Sequence, residues 1–239
     1  MIFSKVVITF LNFLDGFQQK KIIRLINNKS SGPIIVLDVG AHFGETIKLF
    51  LKNLNIKKIY SFEASPKNFK VLKKNISKKN FSNVEIFNFG LGDKNSKNYI
   101  NQTIESSSST INQLNNQSKY FKKKLKILNL RKNKNYYDII PIKIYTLNSF
   151  IENKNIKKID LLKIDTEGYE FNVLKGASLI LKKIKLVYFE HHYDDMIIKN
   201  YKFRDIHNLL KKKKFKMIKK SKMIFRKSFE YVYENQKMI

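Results

Sequence analysis

Ile34 to Leu51, IIVLDVGAHFGETIKLFL, limits the possible folds of this chain more than any other stretch. Residues 34–39 form an apolar, largely β-branched run broken only by Asp38, and Gly40 follows at once, which is how a buried parallel strand ends. Past the turn the apolar spacing changes, because Phe43, Ile47, Phe50 and Leu51 recur at helical intervals. Strand, glycine turn and helix together predict the opening unit of a nucleotide-binding α/β fold. Gly40 and Gly44 are the positions where a ligand could approach the backbone without meeting a Cβ.

Spacing narrows the ligand. A dinucleotide fingerprint asks for G-x-G-x-x-G, and placing its second glycine on Gly40 puts Asp38 at the first position and Phe43 at the third. No G-K-[ST] follows Gly44, so a phosphate-binding P-loop is excluded as well. An acid at position 38 would repel a pyrophosphate and attract a cation, and S-adenosylmethionine (SAM) carries both a sulfonium and an ammonium group. A strand-turn-helix with an incidental acid fits the same residues. Glu63 favours the ligand reading, since it ends a second apolar run, Ile59 to Phe62, where an acid commonly binds both ribose hydroxyls.

The chain has 239 residues, the size of one α/β domain with additions. We divide it into an N-terminal amphipathic segment, residues 1–30, and one domain, residues 31–239, holding a basic insert at about 101–137. There is no cysteine, which excludes disulfides, Cys-ligated zinc or iron-sulfur sites and a cysteine nucleophile. Net charge is +29, a value that ordinarily suggests nucleic acid or an anionic membrane. Only four of the 48 basic residues are arginine, however, and phosphate recognition favours the bidentate guanidinium. Lysine excess accompanies abundant Asn, Ile, Phe and Tyr, all read from A/T-rich codons, so nucleic acid is not the expected partner.

Phe3, Val6, Val7, Phe10, Phe13, Leu14 and Phe17 give residues 1–17 amphipathic helical spacing. The segment is too short to span a bilayer, Asp15 interrupts it, and no small-residue cleavage site follows, so a cytoplasmic location is expected. Such a helix packs on its own domain or on a second copy in a homo-oligomer; Lys20, Lys21 and Arg24 leave peripheral membrane contact open. Asn27 to Pro33 reads as a polar linker.

Strand and helix signals then alternate through a helix at Pro66 to Lys79 and a strand at Val84 to Phe89, the rhythm of a parallel sheet. Gly90-Leu91-Gly92-Asp93 closes that strand at the rim where open α/β sheets bind ligands. Asn101 to Lys134, with its serine run and dense lysines, reads as a surface excursion or a lid over the substrate. Ile139 to Tyr145 returns as a strand and Leu147 to Ile151 as a short helix. A further strand, Ile159 to Ile164, ends in Asp165-Thr166-Glu167-Gly168. Methylation of an adenine or glutamine amino group typically uses a proline-bearing loop here. This chain offers acids instead, suited to orienting or deprotonating a hydroxyl or to holding a metal. Leu186 to Phe189 ends in Glu190-His191-His192, which places a base or ligand candidate at the same rim.

Val36 to Ala41, Phe62-Glu63-Ala64, Leu91-Gly92-Asp93, the serines near Ser107, Tyr145-Thr146-Leu147, and Leu162 to Gly168 through Leu174-Lys175-Gly176 together resemble FkbM-type SAM-dependent methyltransferases. The likeness runs from about Ile34 to His192; Asn148 departs from it, standing where the family often has an acid. The resemblance implies a Rossmann-like class I methyltransferase fold, α/β, with a seven-stranded, mostly parallel sheet, helices on both faces, and a C-terminal antiparallel hairpin near Phe215 to Lys219 and Glu230 to Tyr233. It implies methyl transfer to a hydroxyl of a sugar, glycan or other small natural product. An RNA-modifying enzyme on the same fold and a non-catalytic basic scaffold are the alternatives. On this reading Asp38, Gly40, Ala41 and Gly44 hold the methionine part of SAM, Glu63 and Ala64 the ribose, and Leu91, Gly92 and Asp93 the adenine. Asp165 lines the junction of donor and acceptor, and Glu167, Glu190 and His191 are the candidate bases or orienting groups. A divalent metal stays open, with no ligand set assigned.

Overall fold

A computed structural model describes residues 19–79, 81–128, 136–223 and 227–238. The amphipathic segment 1–17 and the end of the basic stretch, 129–135, lie outside the described residues. The first described element is a helix, α1 (19–28), which runs through the expected linker as far as residue 28. Ile22, Ile23 and Ile26 fall on one face of α1 and are buried, so the helix belongs to the packed core.

Two apolar runs form the middle of the main sheet. The strands β1 (Ile34–Val39) and β7 (Ile159–Ile164) pair in parallel, Val36 opposite Leu161 and Val39 opposite Ile164. On one side of β1 lie β2 (Ile56–Phe62) and β3 (Val84–Phe87), both parallel to their neighbours. On the far side of β7 lies β8 (Ile184–His192), also parallel. A final pair, β9 (Phe215–Lys222) and β10 (Ser228–Asn235), closes that edge, with β10 antiparallel to both β8 and β9. The order is therefore β3-β2-β1-β7-β8-β10-β9, seven strands with the expected C-terminal antiparallel hairpin.

Alternation along β1 divides the core between the two faces. Ile34 and Val36 join a cluster with α1, α2 (Glu45–Asn53) and α3 (Pro66–Ser77). Leu37 and Val39 join another with α5 (Leu147–Asn153), α6 (Glu170–Gly176) and α7 (Phe203–Lys212). Helices thus cover both faces, as a parallel sheet requires.

A second sheet departs from the sequence reading. Gly90–Leu91 does not continue β3 but forms a short strand, β4, which pairs in parallel with β6 (Tyr137–Tyr145). Its other neighbour, β5 (Ser96–Thr103), pairs antiparallel with β6 along its whole length. Asn88 makes the break after β3, where its side-chain amide donates to the Glu63 carbonyl at 2.9 Å. The insert that follows is anchored to the domain. Its helix α4 (Lys119–Ile127) lays Phe121 into a small apolar cluster with Leu114, Leu128, Tyr136, Met196 and Ile197. No helix among the described residues is long and apolar enough to cross a membrane.

Candidate active site

A cleft of about 1110 Å³ opens over the carboxyl ends of β1, β2, β7 and β8. Its floor is built by close backbone approach between strand ends. The amides of Gly40 and Ala41 both donate to the Phe62 carbonyl, at 2.9 and 3.0 Å, and the Asp165 amide donates to Val39 at 2.9 Å. Gly40 has a φ of 85°, and a Cβ there would fall on the Asp165 carbonyl oxygen. The contact that demands glycine is therefore the β1–β7 crossing, a long-range reason the local spacing could not show. Gly44 sits at the start of α2 against Leu72 and does not line the cleft, whereas Ala41 does.

Glu63 stands at the end of β2, buried and lining the cleft. Its Oε2 accepts from the His42 amide at 2.8 Å and its Oε1 from the Ser65 amide at 2.9 Å. Burial pushes its carboxyl up to about 7, although those two amides pull the other way. Ala64, Phe89, Gly90 and Leu91 form the adjoining apolar wall. Gly92 and Asp93 lie outside it. A Cβ on Gly176 would collide with the Gly92 carbonyl, and Asp93 turns outward to pair with Lys175 at 2.9 Å.

Asp38 does not reach the cleft either. It is fully buried, accepts from the Ser61 hydroxyl at 3.1 Å, and lies 3.6 Å from the Lys163 ammonium. Lys163 does line the cleft and also contacts Asp165, which lines it too, at 3.3 Å. Burial works against the Lys163 charge, but Asp165 and Asp38 outweigh it and raise the affinity of that nitrogen for its proton. The sequence reading passed over Lys163; the available signal was a single lysine inside the apolar run Leu161 to Ile164.

Beyond Asp165 the rim is acidic. Glu167 and Glu190 both line the cleft, and Glu167 holds a φ of 50°, a left-handed conformation costly for a residue with a Cβ. The Thr110 hydroxyl donates to the Glu167 carbonyl at 2.6 Å, and the Asn112 amide to that of Gly168 at 2.6 Å, so the insert braces this loop. The imidazole of His192 sits behind the two acids. Its Nε2 is 3.4 Å from Glu167 Oε2 and 3.6 Å from Glu190 Oε1, and its Nδ1 is 3.6 Å from Asp194. Burial alone would depress His192, yet Glu167 and Glu190 outweigh it and raise it to about 10. Glu167 is pushed up to about 7 by burial, resisted by His192 and reinforced by Asp165 and Glu190.

His191, the expected base, is not in this cluster. Strand alternation along β8 sends it to the opposite face, where it packs beside Tyr193, Tyr201 and Phe203. Burial, helped by Lys199 and His192, lowers it to about 3, so it is a neutral core residue at ordinary pH. Of the two histidines the acid cluster takes the second.

The sequence matches the family profile of the methyltransferase FkbM domain over residues 38–217, most of the chain. The chain belongs to the FkbM methyltransferase family. No curated protein sequence matches it. Among solved structures, the FkbM methyltransferase of Methylobacillus flagellatus KT superposes with a TM-score of 0.53 at 15% identity, covering 84% of this chain and 44% of that one. The chain therefore spans less than half of that protein's length. TrmK of M. capricolum, solved with S-adenosyl-homocysteine, gives 0.51 at 10% identity over 90% of this chain and 67% of that one. Sp1610 of Streptococcus pneumoniae, a proposed tRNA (m1A22) methyltransferase solved with S-adenosyl-L-methionine, gives 0.51 at 13% identity over 90% and 72%. These likenesses establish the Rossmann-like methyltransferase fold.

SAM is the cofactor of such a domain, and the cleft of this FkbM-family member fits its parts. The carboxylate of Glu63 just past β2 could accept from ribose hydroxyls, apolar Leu91 and Phe89 offer a wall for a purine, and Asp165 offers a counter-charge to an ammonium. The cleft is also unusually acidic for a chain of net charge +29. Glu45, Glu63, Glu105, Asp138, Asp165, Glu167 and Glu190 line it, against Lys67 and Lys163 among the described residues. Both lysines face acids already, Lys67 pairing with Asp138 at 2.5 Å. No group of three or more His, Asp or Glu side chains among the described residues is arranged to hold a metal ion.

Proposed function

We propose that this protein transfers the methyl group of SAM to a hydroxyl oxygen of an acceptor that carries no phosphate, of the sugar, glycan or small natural-product class. The observation that carries the reading is the carboxylate lining of the cleft. A negative wall attracts the sulfonium donor and repels a phosphodiester, so the basic surface and the reaction site select opposite charges. SAM supplies a methyl already activated by the sulfonium, which leaves positioning and proton removal to the protein.

Glu63 would hold the ribose hydroxyls, and Leu91 with Phe89 and Ala64 the adenine. Asp38 would act at second hand, through Lys163. At the β8 side of the cleft, Glu190 and Glu167 would face the acceptor, with His192 within 3.6 Å of both. SAM would supply the methyl group, its sulfur keeping the electron pair of the carbon–sulfur bond as the acceptor oxygen takes the carbon, and one of the two carboxylates would accept the hydroxyl proton. His192, held protonated by its acid neighbours, keeps those carboxylates oriented. Carboxylates rather than carbonyl acceptors at this loop favour a hydroxyl over an amine.

The test follows a ¹³C-labelled methyl from SAM into neutral glycan acceptors. Oxygen should carry the label, and Glu167→Gln and Glu190→Gln should slow single-turnover transfer by about 10²- to 10⁴-fold while SAM affinity is retained. Label on nitrogen, or full rates in both variants, would contradict the reading.

A further inference from the structure

Lys163 poses a question the transfer chemistry does not answer. It is the seam residue of β7, opposite Asp38 on β1, and its side chain is only 7% exposed. Burying an ammonium costs several kcal/mol even when it is paired, so an apolar strand would be the easier construction. Its two acid contacts, 3.3 Å to Asp165 and 3.6 Å to Asp38, are longer than the 2.7–2.9 Å usual for a charge-assisted bond. A hydrogen of the ammonium can therefore turn toward a ligand in the cleft that Lys163 lines. The other lysine of the cleft, Lys67, is 59% exposed and lies on α3, on the β2 side near Glu63.

The order of strands says which part of the cofactor comes here. Glu63 ends β2 and Asp165 follows β7, with β1 between them, so at about 4.8 Å per strand the two rim positions lie on the order of 10 Å apart. A ligand whose ribose is held at Glu63, and whose adenine lies toward β4, must lay its amino-acid end over β1 and β7. That end is a zwitterion, with one carboxylate and one ammonium on the same carbon. Lys163 and Asp165, two residues apart at the end of β7 and 3.3 Å from each other, offer the complementary pair.

We propose that Lys163 receives the α-carboxylate of SAM, that Asp165 faces its α-ammonium, and that Asp38 is the positioning residue that keeps Lys163 aimed at the cleft. The proposal rests on the cleft being the SAM site. It gives Asp38 a role at one remove from the ligand, consistent with its complete burial and its bond from Ser61.

Calorimetry with SAM and with decarboxylated SAM, on the full chain, tests it. The wild type should prefer SAM by about 10- to 100-fold, the range for one hydrogen bond to a charged group. Lys163→Gln should bind decarboxylated SAM as the wild type does and lose the preference to within about 3-fold, the scale of a residual neutral contact. Because removing the ammonium leaves Asp38 buried without its counter-charge, the neutral double variant Asp38→Asn/Lys163→Gln reads the same comparison where the single variant does not fold. A preference that survives in the folded variants overturns the assignment of Lys163. Equal affinity of the wild type for the two ligands overturns the carboxylate anchor alone, whereas no binding of either ligand overturns the SAM site with it.

Discussion

Glu63 is the residue on which cofactor affinity should depend most simply, because both its oxygens are already oriented by backbone amides and it lines the cleft. Glu63→Ala should weaken SAM binding by about 1.5–3 kcal/mol in a folded variant, measured by calorimetry. His192 should show itself through pH. It faces Glu167 and Glu190 from the cleft side, Asp194 from its own strand end, and Glu170 from α6. Its imidazole is raised from about 6.5 to about 10, so the stability it contributes is fully present below about pH 6.5 and is lost as pH rises toward 10. Denaturant midpoints of wild type and His192→Gln should therefore differ most near pH 6 and converge by pH 10. A gap that widens with pH would mean that the imidazole is buried neutral.

At the scale of elements, the small sheet is joined to the main one through the start of α3. Ser65 caps that helix, accepting from the Asn68 amide at 3.2 Å, and its hydroxyl donates to the buried Gln102 on β5. Ser65→Ala should cost about 1–2 kcal/mol, read as a shift in the urea midpoint, because a cap is lost and a buried amide loses a partner. The long apolar strands were legible in the sequence: β1 and β7 fall on the expected residues, and the run ending in Glu63 needed only an earlier start. β5 was not legible, since SKNYINQT has no apolar face of its own and gains its burial from β6 and the cleft wall. The β4 turn was misread as the end of β3 because Gly-Leu-Gly-Asp looks the same in either role. Which residues line the cleft was legible near the ends of strands, as with Glu63, Asp165, Glu167 and Glu190. It was misread where facing decides. Asp38 points into the β1–β7 seam, His191 and His192 differ only by the alternation of β8, and Lys163 meets Asp38 on a strand far away in sequence.

On the scale of the whole molecule, exposed lysines lie on several elements, Lys70 and Lys73 of α3 beside the cleft among them. Lys211 to Lys214 at the end of α7 and Lys216, Lys220 and Lys222 on the edge strand β9 are exposed, far across the sheet from β3. Lysines on an edge strand oppose sheet-to-sheet pairing, a role that needs no nucleic-acid partner. The cleft, by contrast, presents carboxylates. Surface attraction to polyanions should fade at physiological ionic strength, where screening acts over roughly 8 Å, while repulsion inside the cleft persists. The most direct measurement compares methyl transfer from SAM to one sugar acceptor, to its phosphate ester, and to tRNA at about 0.15 M salt. The acidic cleft requires kcat/KM to be highest for the uncharged sugar and at least about fivefold lower for its phosphate ester, with no selective transfer to tRNA, one like-charge contact being worth about 1 kcal/mol or more. Faster transfer to the phosphorylated acceptor, or selective methylation of tRNA, would contradict it.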